Sequence, residues 1–108
     1  MGFPEYKDME EPFLCFIYFN GGDNFEVSPS DTYEPLADFF ELTEEERTCP
    51  RPDGYSGSYW QNRVQWTRQR LINYGYLDGS RRERWRLTDK GIQRASSVSS
   101  KYKSLKQV

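Results

Sequence analysis

At 108 residues and 12.9 kDa the chain has the size of one domain, and its 35% hydrophobic content is modest. Seven Phe, eight Tyr and three Trp make a core feasible, because each ring buries a large area. There is no histidine and there are two cysteines, Cys15 and Cys49, which excludes a Ser-His-Asp triad, a Cys-His pair and zinc sites of the His-ligated or four-cysteine kind. No apolar run approaches the roughly 18 residues of a spanning helix. No basic-then-apolar leader opens the chain, so a cytoplasmic protein with free thiols is expected. The expected class is a non-catalytic binding module without metal or cofactor.

The net charge of −2 hides a division. Residues 1–58 hold 14 acidic side chains against Lys7, Arg47 and Arg51, whereas residues 59–108 hold 12 basic ones against Asp78, Glu83 and Asp89. An asymmetry of this size suggests a basic face turned toward a polyanion. Mutual neutralisation of the two halves through surface pairs explains it equally well.

Residues 1–11 mix charges with Pro4 and Met9 and read as a flexible, poorly ordered start. Pro12 to Asn20 is an unbroken apolar run closed by Gly21-Gly22; its aromatics favour a strand, and its Asn-Gly-Gly ending suits a helix C-cap. Phe25-Glu26-Val27 reads as a short extended piece. Ser30 or Asp31 is expected to cap a helix whose apolar positions Tyr33, Leu36, Ala37 and Phe40 keep the 3.6-residue period. Thr43 and Glu46 fit a capping box that starts a short helix running to about Thr48. Composition makes residues 49–58 a loop.

A helix follows from about Ser58 to Tyr74. At about 100° per residue, Trp60, Val64, Thr67, Leu71 and Tyr74 share a core-facing stripe, while Gln61, Asn62, Gln65, Arg68 and Gln69 occupy the opposite flank. Gly75 ends it. Residues 76–78 and 85–87 read as two strands joined by an arginine-rich tip, with Trp85 and Leu87 facing inward. Thr88 is expected to cap a last helix bearing Ile92, Ala95, Val98, Tyr102 and Leu105, with residues 96–108 as its extension or a tail.

Helix, glycine turn, strand, basic loop, strand and capped helix make up the second half of a winged helix-turn-helix, an α+β fold. Such a helix can enter the major groove of double-stranded DNA, where Gln or Asn pairs with adenine and Arg with guanine. A hairpin tipped by Arg81, Arg82 and Arg84 can reach phosphates or the minor groove. Gln61, Asn62, Gln65, Arg68, Gln69, Arg81, Arg82 and Arg84 are therefore the candidate DNA contacts. A solvated polar flank is the plain alternative for the helix, and neutralisation of the acidic half is the alternative for the arginines.

Two stretches, residues 36–47 and residues 62–71, resemble the N-terminal winged-helix domain of Mrr-type restriction proteins. Gly75-Tyr76-Leu77, Trp85-Arg86-Leu87-Thr88 and Gly91 extend the likeness over about residues 12–95. The resemblance implies a DNA-reading attachment working beside a nuclease, in modification-dependent restriction or defence, with methylated duplexes among its targets. It also implies that Pro12–Asn20 is a helix. No nuclease core has room here, so an excised domain or a standalone reader serving a separate nuclease or polymerase is expected. The competing classes are a protein-interaction adaptor and a small dimeric transcriptional regulator. A dimer would use the 3-4-3 spacing of Ala95, Val98, Tyr102 and Leu105 on the C-terminal helix. Core packing is the expected fate of Trp60 and Trp85, which leaves Trp66 as the one cage candidate for a methylated base.

Overall fold

A computed structural model describes residues 2–107; Met1 and Val108, the outer ends of the expected terminal segments, lie outside the described residues. Five helices and a three-stranded antiparallel sheet make an α+β fold compatible with a winged helix. The helices are α1 (Tyr6–Asn20), α2 (Tyr33–Phe39), α3 (Glu44–Thr48), α4 (Tyr59–Asn73) and α5 (Asp89–Val98). The strands are β1 (Glu26–Val27), β2 (Leu77–Asp78) and β3 (Trp85–Leu87), in the order β1-β3-β2.

The apolar run is helical, and α1 is the hub of the core. Phe13, Cys15 and Ile17 are fully buried, and Phe13 stacks on Trp85 with ring centroids 5.4 Å apart. The helix opens at Tyr6, six residues before Pro12, so residues 6–11 are helical where a loosely ordered start was expected. Proline is a poor guide to the boundary here because Pro12 lies inside the helix and is itself buried. Met9, one turn earlier, is buried under α4, where Thr67 contacts its sulfur.

Local chemistry sets most of the other boundaries. Thr43 and Glu46 form the reciprocal capping box, with Thr43 Oγ1 accepting from the Glu46 amide and Glu46 Oε1 accepting from that of Thr43. Ser58 caps α4 through the Gln61 amide, and Gly75, at φ +83°, takes the left-handed turn that ends it. Thr88 caps α5 through the Gly91 amide. The cap of α2 differs from expectation: Thr32 precedes the helix, while Asp31 turns back to accept from the Ser28 amide in a preceding 3-10 turn. Pro29 opens that turn, so the chain tightens four residues before α2 begins.

Strand alternation divides the sheet as its short strands predict. Trp85 and Leu87 point into the core, and Arg86 stands outside in register with both Glu26 and Asp78. On α4, Trp60, Val64, Thr67 and Leu71 are buried. Tyr74, expected on that stripe, stays 44% exposed because the helix ends beside it.

The C-terminal apolar residues are consumed within the chain. Ala95, Val98 and Leu105 are buried in the main core; Tyr102 packs against it and donates to Glu11. A 3-10 segment, Ser99–Leu105, follows α5 directly, and Asn20 on α1 donates to the Leu105 carbonyl. The stripe that a dimer would use on the C-terminal helix is thus packed within the chain's own core.

A groove between the fourth helix and the hairpin

Among the described residues, five basic side chains of the second half pair with three carboxylates of the first. Arg70 bridges Glu10, Arg94 and Lys101 reach Glu11, and Arg84 binds Glu26 at 2.8 Å. Arg47 is spent inside the acidic half on Glu34 and Asp38. Mutual neutralisation thus accounts for part of the charge division. Arg63 is turned to the Pro4 carbonyl and the Tyr6 ring, and Arg68, Arg82 and Arg86 likewise make no ion pair among the described residues.

Arg68 and Arg82 line an open groove of about 550 Å³ between α4 and the β2–β3 hairpin. Asn62, Gln65, Trp66, Arg68 and Gln69 come from α4, Arg82 and Trp85 from the hairpin, Arg51 from the 49–58 loop and Pro29 from the 3-10 turn. These side chains meet because α4 keeps its 3.6-residue period for four turns and the hairpin folds back beside it. No carboxylate is among these lining residues.

Each lining residue is held differently. Arg68 donates to the Arg81 carbonyl at 3.1 Å and lies over the Trp85 ring, 5.6 Å from its centroid. Partial burial, then the neighbouring Arg82 charge, lower its pKa from the usual guanidinium value; Asp78 acts weakly the other way. Two cations without an ion-pair partner, held beside one wall, favour an anion between them. Gln65 donates to the Tyr33 hydroxyl at 3.0 Å and Gln69 to Asn73 at 3.1 Å, so both amides are oriented. Arg51 is fastened to Asp53 within its own loop.

Of the eight candidate contacts, the groove gathers Asn62, Gln65, Arg68, Gln69 and Arg82. Gln61 is exposed on the first turn of α4 and does not line it. Arg81 is exposed and lies 3.9 Å from Glu26, and its carbonyl rather than its charge serves the groove through Arg68. Arg84 is drawn away altogether: Glu26 and the Ser28 hydroxyl hold it against β1. That brace was not readable locally, since 58 residues separate its partners. Arg51 was missed because composition marks residues 49–58 only as a loop, and Pro29 because no local signal ties it to α4. Trp66 lines the groove at 55% exposure, whereas Trp60 and Trp85 are in the core as expected.

The sequence model of the Mrr N-terminal domain matches residues 9–97. The chain belongs to that family. The matched span contains all five helices but for the outer residues of α1 and α5, together with every groove residue. Membership ties this Mrr N-terminal domain to Mrr-type restriction systems. No curated protein and no solved structure matches the chain.

No helix among the described residues is long and apolar enough to cross a membrane. Both cysteines are free, Cys15 buried and Cys49 partly exposed, and no group of metal-ligating side chains occurs among the described residues.

Proposed function

We propose that this Mrr N-terminal domain is a non-catalytic module that binds double-stranded DNA for a restriction partner. The observation that carries this reading is the carboxylate-free groove in which Arg68 and Arg82 stand unpaired beside three amide side chains. Cations supply affinity for phosphates, and amides supply the paired donors and acceptors that base edges require. In this reading α4 presents Asn62, Gln65 and Gln69 to the bases, with Gln61 extending the same flank. Arg82 and Arg81 meet the backbone from the hairpin. Arg84 is left to a structural tie with Glu26 and Ser28 rather than to DNA.

Restriction supplies a reason for modification dependence, and the partner in that setting is a nuclease, fused or separate. The site for both is the cytoplasm, where the DNA lies and free thiols persist. The test is fluorescence anisotropy with labelled duplexes, unmodified or methylated on adenine or cytosine. Binding at micromolar or tighter affinity is expected, and a methyl-dependent difference would place the module in modification-dependent restriction. Absence of binding at low salt would overturn the DNA reading and leave the groove to a protein partner.

A further inference from the structure

The same amides of α4 that would meet base edges also border an open hollow. Asn62, Gln65, Trp66 and Gln69 face Pro29, Arg51 and Arg82 across it. A hollow receives whatever projects from its ligand. Paired, stacked bases do not project; an unpaired nucleotide does.

The lining suits such a nucleotide. Trp66 exposes 55% of its surface, while Trp60 and Trp85 are buried with their indole N–H groups donating to Tyr33 and Arg82 carbonyls. Among the described residues Trp66 stacks on no ring and takes no cation over its face, so its ring has room for a stacking partner. Beside it, Gln65 and Gln69 are fixed through their NH2 groups, which leaves their amide oxygens as acceptors. Arg68 and Arg82 border the same hollow with no ion-pair partner among the described residues. An exposed ring, amide acceptors and unpaired cations are the three elements by which proteins hold an unstacked base and its phosphate.

We infer that the groove takes one unstacked nucleotide, its base lying on Trp66 and its phosphate turned toward Arg68 and Arg82. This deepens the DNA reading and rests on it. The nucleotide can come from an unpaired position in a duplex or from a single strand.

The experiment compares anisotropy of the full chain with three labelled DNAs: an intact duplex, the same duplex with one base facing an abasic site, and the single strand. The unpaired duplex should bind about fivefold or more tightly than the intact one, because a base stacked on an aromatic ring contributes on that scale. Trp66→Ala should bring that ratio close to one, while Trp66→Phe should keep most of it. Far-ultraviolet circular dichroism checks that both variants fold, as expected for an exposed residue. A Trp66-dependent preference for the single strand would also support the inference and identify the strand as the source. A wild-type ratio near one, or a preference that survives Trp66→Ala, would overturn the inference while duplex affinity upholds the DNA reading. Binding to none of the three DNAs would overturn both.

Discussion

Gly91→Ala offers a sharp test of the packing that holds the hairpin and the last helix together. Gly91 lies in the first turn of α5, directly against the start of β2. A Cβ built there would sit 2.1 Å from the Tyr76 carbonyl oxygen and 3.0 Å from its carbon. Ordinary carbon–oxygen contact needs about 3.2 Å or more, so α5 would have to retreat by about 1 Å. Retreat loosens the bond from the Thr88 amide to that same carbonyl, 3.0 Å long, at a cost of about 1 kcal/mol. It also pulls Ala95 and Val98 from their fully packed positions, adding about 1–3 kcal/mol as in overpacked cores. Alanine returns about 1 kcal/mol of helix propensity. The net is a destabilisation of about 1–3 kcal/mol, or a melting point lower by about 5–20 °C for a domain of this size. Thermal and urea unfolding followed by circular dichroism measure it. Propensity alone predicts the opposite sign, so a Gly91→Ala protein as stable as the parent or more so would refute the close approach of α5 to Tyr76.

Thr43→Ala should cost about 1 kcal/mol, the usual value of an N-cap oxygen, read from urea unfolding. The Thr43 amide and then the Gly2 amide hold the Glu46 carboxyl below its ordinary pKa. Its contribution to stability is therefore complete above the unfolded carboxylate pKa and fades as pH falls through the lower folded value. Glu46→Gln should flatten that part of the stability profile; an unchanged profile would remove Glu46 from the box. Burial and then Glu11 push the Cys15 thiol up to about 11, so a thiol reagent at neutral pH should label Cys49 in the native protein and both cysteines after unfolding. Rapid native labelling of two thiols would show that α1 opens readily. Arg84→Gln should cost about 1–2 kcal/mol of stability by freeing the mostly buried Glu26, while leaving duplex affinity close to that of the parent. A large affinity loss with unchanged stability would return Arg84 to the DNA contacts.

What the sequence disclosed follows the range of the interactions involved. Ser58, Thr43 and Thr88 act on amides three residues away, and Gly75 on its own backbone, so the ends of α3, α4 and α5 were legible. The alternation at Trp85-Arg86-Leu87 placed the inward residues for the same reason. The start of α1 was hidden because it depends on tertiary burial of Met9 and Pro12 rather than on a cap; Glu5 makes no side-chain cap bond. Resemblance, not periodicity, decided that α1 is a helix. Five groove residues were legible, Asn62, Gln65, Arg68 and Gln69 because they share one helix flank and Arg82 because it belongs to the arginine-rich hairpin tip. The rest depended on contacts across the fold, which removed Arg84 to Glu26 and brought Arg51 and Pro29 into the groove.

The salt dependence of duplex binding tests the central claim most directly. Each phosphate neutralised by Arg68, Arg82 or Arg81 should add about −0.9 to the slope of log affinity against log salt concentration, giving about −2 to −3 in all. Arg82→Gln should lessen that slope by about one without unfolding the protein, since its side chain is exposed and makes no ion pair among the described residues. Measurable duplex affinity with that slope, reduced in the Arg82 variant, is the result the groove predicts. Affinity that ignores salt, or no affinity at low salt, would contradict it.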